Sequence, residues 1–200
     1  MLDLHRDKFA GLEIATAGIF CRLPFTPNQY TGLSVFMVLA CVIYMQAGAY
    51  AAALGFFIIA GMLDLIDGAV ARKRGLVSPR GAYLDTVADR YVESLLLLGF
   101  MLVTLPRVFL PSHVWLFLIL FGSTMTTYAK AAASEKKLCI NELKGGLMSR
   151  GERMILYSIA LLMLNFNWIW VTYIMMALAL LTNITAFQRI AAALKRANKC

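Results

Sequence analysis

The chain has 200 residues, of which 60% are hydrophobic and only 15% charged, and its formal net charge is +8. With a mean hydropathy of +0.72 it is too apolar for a soluble domain of this length, in which roughly a quarter of the residues are charged. The composition therefore predicts an integral membrane protein. It excludes a nucleic-acid-binding protein, because there is no soluble domain on which the basic residues could form a binding face.

The first 20 residues are amphipathic, and Asp3, Asp7 and Glu13 interrupt their apolar positions. This pattern predicts a short interfacial helix over residues 1–20 that lies on the cytoplasmic leaflet, and it argues against a cleavable signal peptide. The cysteines show no paired spacing, which favours free thiols. They are Cys21, Cys41, Cys139 and Cys200.

Apolar segments of membrane-spanning length follow, and a bilayer core needs about 20 such residues per helix. The first four predicted spans are about 30–45, extended at its start by residues 26–28, then 51–70, 81–105 and 114–133. The last apolar run, between Arg153 and Arg189, would be about 55 Å long as one helix, so it predicts a hairpin with a turn near residues 165–168. The predicted fold is an all-α membrane protein, with a bundle of six transmembrane helices over residues 26–190 and a single domain over residues 1–200.

Almost all the basic residues lie in one set of connections: the first 27 residues, the linkers 72–80 and 134–153, and the tail after Arg189. The connections on the opposite side carry Arg107 as their only cation. By the positive-inside rule, both termini and the basic loops are expected in the cytoplasm of a multi-pass cell-membrane protein. The basic loops are also expected to attract anionic membrane lipids.

Four aspartates stand at the cytoplasmic ends of the second and third segments. Asp64 and Asp67 are three residues apart, and Asp85 and Asp89 are four apart, so each pair lies on one helix face. The linker 72–80 joins consecutive antiparallel helices, so the two pairs can face each other. Four converging carboxylates would repel one another without a cation between them, and such hard oxygen ligands suit Mg²⁺, Mn²⁺ or Ca²⁺.

These aspartates could instead be ordinary interfacial charges that pair with neighbouring basic residues. A carboxylate inside a predicted span, however, costs about 2.5–3.5 kcal/mol on insertion scales and is usually functional. Gly68, Ala71 and Gly81 leave space for a ligand beside the carboxylates, and Arg72 suits a phosphate. A functional site is therefore the favoured interpretation.

The pattern Asp64-x-x-Asp67-Gly68-x-x-Ala71-Arg72, followed after eight residues by Gly81-x-x-x-Asp85-x-x-x-Asp89, resembles the signature of the CDP-alcohol phosphotransferases. The resemblance covers every fixed position and implies a reaction. An alcohol attacks the phosphoryl group attached to the lipid in a CDP-linked lipid, and CMP is displaced. The resemblance also implies a divalent cofactor, Mg²⁺ or Mn²⁺, and a homodimer.

The same resemblance implies roles for individual residues. The implied metal ligands are Asp64, Asp67, Asp85 and Asp89, and Asp89 is also the implied general base. The implied nucleotide pocket contains Asp67, Gly68, Ala71, Arg72 and Gly81. Asn28 and Thr31 resemble the family's helix-one motif near the nucleotide, although an asparagine at this point could also be a helix cap.

Basic residues at the ends of the last three segments bear on the choice of alcohol. A cluster of cations from three helices suits a phosphate carried by the acceptor, although basic residues at helix ends also follow from positive-inside and helix-dipole preferences. The stretches TYAKAAASE, GLMSRGER and TAFQR resemble the inositol-phosphate branch of the family, which contains phosphatidylinositol phosphate and archaetidylinositol phosphate synthases. The residues implied to hold the acceptor phosphate are Thr127, Lys130, Arg150, Arg153 and Arg189.

Two positions depart from that branch, which usually has Arg at the position of Ala132 and Pro at that of Gly151. Glycerol 3-phosphate therefore remains the alternative acceptor. A non-enzymatic alternative is a small cation transporter or membrane scaffold, but a cation pathway needs polar groups through the bilayer, and the last two segments are almost featureless between Tyr157 and Thr182. The expected partners are a CDP-linked lipid, a phosphorylated polyol and membrane lipids.

Overall fold

A computed structural model describes Phe20, residues 24–136 and residues 146–197. Over these residues the chain forms six helices: α1 Pro27–Gln46, α2 Tyr50–Lys73, α3 Pro79–Leu102, α4 Ser112–Glu135, α5 Arg150–Met163 and α6 Trp168–Ala197. Two compact units result, one over Leu2–Val103 with α1 to α3, the other over Thr104–Cys200 with α4 to α6. The interfacial helix predicted for residues 1–20 lies outside the described residues, Phe20 apart, and the single domain stays a prediction.

Four of the described helices, α1, α2, α4 and α6, are long and apolar enough to cross a membrane. Helix α3 is too polar to be such a helix, because its part up to Glu93 carries Arg80, Asp85, Asp89, Arg90 and Glu93. Helix α5 has 14 residues and is about 21 Å long, against a hydrocarbon core of about 30 Å. The described chain is thus all-helical with four candidate spans, as expected of a membrane protein.

In the first unit, α1 packs against both α2 and α3. A buried apolar cluster joins α1 to the last turns of α2, and it consists of Tyr30, Leu63, Ile66 and Val70. Phe20 packs on this cluster, and its carbonyl accepts a hydrogen bond from the Tyr30 hydroxyl at 3.1 Å. Because Leu63 and Ile66 each precede an aspartate, the cluster holds the part of α2 that carries Asp64 and Asp67.

A glycine in the left-handed region ends α2. Gly75 has a φ of +65°, where a residue with a Cβ is strained. The Leu76 amide donates to the Ala71 carbonyl at 2.9 Å, and the Gly75 amide donates to the Arg72 carbonyl at 3.3 Å. This pair of bonds is a Schellman motif, which satisfies the last carbonyls of the helix and turns the chain sharply.

Helix α3 begins at Pro79, four residues after Gly75, with strong start signals. Ser78 is the N-cap, and its hydroxyl accepts a hydrogen bond from the Gly81 amide at 3.1 Å. Pro79 occupies the first helical position, where its missing N–H costs nothing. Arg74 in the linker donates to the Phe25 carbonyl at 2.7 Å, which ties the linker to the segment before α1. The ends of α2 and α3 are therefore held by short, well-bonded connections.

In the second unit, α6 packs against α4 and α5. Helix α5 ends at Met163 and α6 begins at Trp168, so the hairpin turn lies where the sequence predicts it. Helices α4 and α6 approach closely at Gly122, where an added Cβ would lie 3.0 Å from the Asn183 backbone nitrogen. The Asn183 side chain donates to the Leu118 carbonyl at 2.9 Å and so joins the two helices at this crossing.

Candidate active site

Three of the four aspartates form a cluster between the end of α2 and the start of α3. Asp64, Asp67 and Asp85 each offer a carboxylate oxygen, and these three atoms lie within 4.8 Å of one another. Asp67 is buried at 6% exposure, and the other two are half-buried. At this separation, like charges repel by about 3 kcal/mol per pair at an effective dielectric constant of about 20. The fold therefore maintains a concentration of negative charge that favours a cation.

The spacing of these oxygens fits a divalent metal. Mg²⁺ and Ca²⁺ bind carboxylate oxygens at about 2.1–2.5 Å, so two ligands of one ion lie at most about 5 Å apart. The 4.8 Å limit of the cluster falls within that distance. The donors are all hard oxygens, which suit Mg²⁺ or Mn²⁺ rather than a thiophilic metal.

Asp89 lies one turn after Asp85 on α3 and is half-buried, outside the group of three. Its predicted roles as metal ligand and general base stay predictions. One turn further along, Glu93 is buried at 3% exposure, and its carboxylate pairs with Arg90 at 3.1 Å. Glu93 thus has a partner of its own and is separate from the aspartate cluster.

A cavity of about 470 Å³ opens beside the cluster, between the start of α1, the end of α2 and the start of α3. Asp67 and Asp85 both line it, so the carboxylates reach its interior. All the residues that the sequence assigns to a nucleotide pocket line this cavity: Asn28, Thr31, Asp67, Gly68, Ala71, Arg72 and Gly81. The fold thus brings together residues that are up to 53 positions apart in the sequence.

The start of α1 shows which part of the helix-one motif is structural. Thr26 is the N-cap, and its amide donates to the Gln29 side chain at 2.8 Å. Asn28 lies inside the first turn and is therefore not the cap. Thr31 donates a hydrogen bond from its hydroxyl to Asp67 Oδ2 at 2.5 Å, and both residues are buried. Thr31 consequently orients one carboxylate of the cluster.

Two glycines allow close approach within the cavity. A Cβ added to Gly68 would lie 3.3 Å from Nη1 of Arg72, so the guanidinium group extends over this glycine. A Cβ added to Gly81 would lie 3.2 Å from the Ser78 hydroxyl and 3.6 Å from Asn28 Oδ1. Side chains at these positions would move Arg72 or narrow the cavity next to Asn28.

We expect Gly68→Val to raise the KM for CDP-linked lipid about tenfold, which corresponds to about 1.4 kcal/mol. The valine would displace the Arg72 guanidinium and occupy part of the cavity. The measurement is CMP release at varied CDP-lipid concentration. Gly61→Val on the same helix is the matched control, because a Cβ there meets nothing within 4 Å. An equal rise in KM in both variants would mean that the effect comes from the helix and not from the cavity.

The predicted acceptor-phosphate residues all belong to the second unit. Arg189 on α6 donates from Nη1 to the Thr126 carbonyl of α4 at 3.0 Å. Thr127 is the next residue of α4, and Lys130 follows Thr126 by about one turn. Arg189, Thr127 and Lys130 are therefore gathered at the same part of the α4–α6 pair.

Arg150 and Arg153 lie in the first turn of α5, which starts with a capping box. The Ser149 amide donates to the Glu152 carboxylate at 2.7 Å, and the Ser149 hydroxyl accepts a hydrogen bond from the Glu152 amide at 3.5 Å. Arg153 is 3% exposed, an unusual burial for a cation.

Two backbone amides just before α5 are bound by side chains of α6. Met148 donates to the Thr185 hydroxyl and Leu147 to the Gln188 side chain, each at 3.1 Å. Neither Thr185 nor Gln188 is among the site residues predicted from the sequence. A signal was available for Thr185, since it precedes Arg189 by four residues and so shares its helix face.

Comparison with known proteins identifies relatives for nearly the whole chain. The sequence matches the CDP-alcohol phosphatidyltransferase family over residues 25–185. The archaetidylinositol phosphate synthase of Pyrococcus horikoshii is 34% identical, with 93% of this chain and 89% of that protein covered. The phosphatidylinositol phosphate synthase of Mycobacteroides abscessus is 30% identical, with 76% of this chain and 69% of that protein covered.

Solved structures of Mycobacterium tuberculosis phosphatidylinositol phosphate synthase share the fold. The crystal structure with CDP-DAG bound has a TM-score of 0.77, with 90% of this chain and 92% of that chain covered. The crystal structure in complex with manganese and citrate has a TM-score of 0.78, with 91% of this chain and 88% of that chain covered. Both are 24% identical to this chain, so they support the architecture and not the choice of substrate.

Proposed function

The chain belongs to the CDP-alcohol phosphatidyltransferase family, and we propose that it transfers the lipid-phosphoryl group of a CDP-linked lipid to inositol phosphate. It is a membrane enzyme of phospholipid biosynthesis that releases CMP and uses a divalent metal, Mg²⁺ or Mn²⁺. The observation that carries the choice of acceptor is that α6, which bears Arg189, binds both α4 and the segment leading into α5, the two other parts of the chain that bear the predicted cations. Two relatives that cover most of the chain are named archaetidylinositol phosphate synthase and phosphatidylinositol phosphate synthase, which supports inositol phosphate as the acceptor.

In the first unit, Asp64, Asp67 and Asp85 would hold the metal, with Asp89 as a further ligand. When bound, the metal would offset the charge of the pyrophosphate and of the departing CMP. Thr31 keeps the Asp67 carboxylate oriented through its hydrogen bond. The cytidine and its phosphates would occupy the cavity lined by Asn28, Thr31, Asp67, Gly68, Ala71, Arg72 and Gly81.

Asp89 would act as the general base. It takes the proton of the acceptor hydroxyl, whose oxygen bonds to the lipid-linked phosphorus while the bond from that phosphorus to CMP breaks. In the second unit, the phosphate of the acceptor would be held by Thr127, Lys130, Arg150, Arg153 and Arg189. Arginine suits this task because its planar group binds a phosphate through two parallel hydrogen bonds.

The topology proposed with this function has six spans, in which α3 and α5 join the four helices that are long and apolar enough on their own. Both termini and the active site then face the cytoplasm of the cell membrane, because the basic connections lie on that side. We also propose that the protein is a homodimer.

The topology can be tested with cysteines introduced at exposed positions. Cysteines in the loop 106–111 should react with an impermeant thiol reagent in intact cells, whereas cysteines in the cytoplasmic linker 74–78 should not.

The experiment that tests the function is a panel of acceptors. The purified protein in detergent receives CDP-linked lipid and Mg²⁺ or Mn²⁺, with inositol phosphate, glycerol 3-phosphate, inositol or serine compared side by side. We expect rapid CMP release with inositol phosphate. A preference for glycerol 3-phosphate would change the acceptor and leave the reaction class intact, whereas no release with any alcohol would argue for a transporter or scaffold.

Arg189→Ala is expected to raise the KM for inositol phosphate at least about tenfold, because a charge-assisted bond to the phosphate is worth about 1.5–3 kcal/mol. The KM for CDP-linked lipid should change little. Initial rates of CMP release at varied acceptor concentration measure both constants. Arg107→Ala is the matched control, since Arg107 is an exposed cation in the loop between α3 and α4. An unchanged acceptor KM in the Arg189 variant would point to an acceptor without a phosphate.

A further inference from the structure

Thr185 on α6 contacts the short segment that leads into α5. Its side chain is fully buried, at 0% exposure. The hydroxyl oxygen accepts a hydrogen bond from the Met148 amide at 3.1 Å, and the hydroxyl donates to the Leu181 carbonyl at 2.7 Å. Thr185 therefore uses both the donor and an acceptor site of its hydroxyl to join the segment 146–148 to α6.

The backbone of this segment fits closely against the same threonine. A Cβ added to Gly146 would lie 2.5 Å from Thr185 Cγ2, a distance that non-bonded carbon atoms do not reach. Gly146 also has a φ of +127°, which residues with a side chain rarely adopt. Glycine at this position thus allows the chain to pass directly over Thr185, and the Leu147 amide adds a second bond, to Gln188.

The contact between Thr185 and Met148 lies close in sequence to the predicted acceptor-phosphate residues on both elements. Thr185 lies one turn before Arg189 on α6, and Met148 lies two residues before Arg150 and five before Arg153. One hydroxyl thus joins the parts of the chain that carry three of the five predicted acceptor ligands. We propose that Thr185 is a positioning residue that holds the start of α5 against α6. Arg150, Arg153 and Arg189 are then placed to bind the same phosphate group of the acceptor.

This inference rests on the proposed function, because it assigns the role through the acceptor-phosphate cluster. Thr182, one turn earlier on α6, provides a comparison within the same helix. It is equally buried, at 1% exposure, but its hydroxyl donates to the Leu178 and Ala179 carbonyls of its own helix, at 2.8 and 3.1 Å. Substitution of Thr182 removes a buried hydroxyl alone, whereas substitution of Thr185 also removes the hydrogen bond to the segment before α5. Comparing the two variants therefore separates these effects.

The decisive variant is Thr185→Val, which keeps the shape of the side chain and removes the hydrogen-bond acceptor. We expect the KM for inositol phosphate to rise about five- to tenfold, the value of one buried hydrogen bond, with kcat and the KM for CDP-linked lipid unchanged. Thr185→Ser should restore the acceptor KM, because it restores the hydroxyl. Thr182→Val, the matched control, should leave all three constants as in the unmodified protein.

Two further measurements keep the inference testable if Thr185→Val is poorly folded. Gly146→Ala disturbs the same contact from the side of the segment 146–148, because the added Cβ would clash with Thr185. It should raise the acceptor KM without changing the KM for CDP-linked lipid. Hydrogen exchange followed by mass spectrometry should show faster exchange of residues 147–149 in both variants and unchanged exchange in Thr182→Val.

The outcomes distinguish this inference from the function on which it rests. A raised acceptor KM in Arg189→Ala with an unchanged one in Thr185→Val and Gly146→Ala would overturn the role of Thr185 alone. Faster exchange without any change in the acceptor KM would also overturn it, since the contact would then be structural only. No CMP release with any phosphorylated acceptor would overturn the proposed function, and the inference with it.

Discussion

Asp85→Asn is expected to reduce CMP release by about a thousandfold or more, to near the background rate. The substitution removes one of the three carboxylates whose oxygens lie within 4.8 Å of one another. A metal at an anionic phosphoryl centre contributes several kcal/mol of transition-state stabilisation, and each 1.36 kcal/mol is a factor of ten in rate. Asparagine keeps the size of the side chain and removes the charge, so the loss reports on the cation and not on packing.

The measurement pairs CMP release with direct titration of Mn²⁺ by electron paramagnetic resonance. We expect Mn²⁺ binding to weaken in Asp85→Asn and in Asp67→Asn. The control is Glu135→Gln, which also removes one negative charge, but from an exposed ion pair with Lys136. Wild-type Mn²⁺ affinity in both aspartate variants would show that the metal binds elsewhere.

Asp89→Asn is expected to lower kcat by about 10²–10⁴-fold, the usual contribution of a general base, while binding of CDP-linked lipid is largely retained. Asp89 lies outside the group of three carboxylates, so its removal leaves Asp64, Asp67 and Asp85 in place. The two aspartate predictions therefore have different signatures. Asp85→Asn should lose most of its metal binding, whereas Asp89→Asn, although it lacks one proposed ligand, should lose turnover with the metal still held by the three remaining carboxylates.

Glu93→Gln is the matched control for Asp89, because it neutralises the next acid on α3 while leaving an oxygen for Arg90. We expect this variant to keep most of its turnover. Binding of radiolabelled CDP-linked lipid to the detergent-solubilised protein separates binding from chemistry in both variants. Substantial turnover in Asp89→Asn would assign the base to another group.

Much of the first unit follows from the sequence, because local signals there agree with one another. The apolar runs predict helices whose ends differ from the observed ends by only a few residues. Ser78 caps the start of α3 and Gly75 follows the end of α2, the positions that serine and glycine favour. The spacing of Asp64, Asp67 and Asp85 predicts their convergence. Helix periodicity and a short linker are sufficient for that step.

Long-range contacts could not be predicted in the same way. The Thr31–Asp67 bond joins residues 36 positions apart, and the Met148–Thr185 bond joins residues 37 apart. Neither threonine differs in pattern from others in apolar helices, where Thr hydroxyls usually bond to their own backbone. The role of Asn28 could not be predicted either, because an asparagine near a helix start can be the helix cap. In the structure Thr26 is the N-cap, which excludes Asn28 from that role.

If α5 crosses the membrane, as proposed, its short length affects the bilayer around it. As a span, this helix of 14 residues is about 9 Å shorter than the hydrocarbon core it would cross. Such hydrophobic mismatch is relieved when the bilayer thins locally, at a cost of a fraction of a kcal/mol per ångström. Thinning beside Arg150 and Arg153 would bring headgroups and water down to the first turn of α5. A charged, water-soluble alcohol could then meet a lipid substrate without entering hydrocarbon.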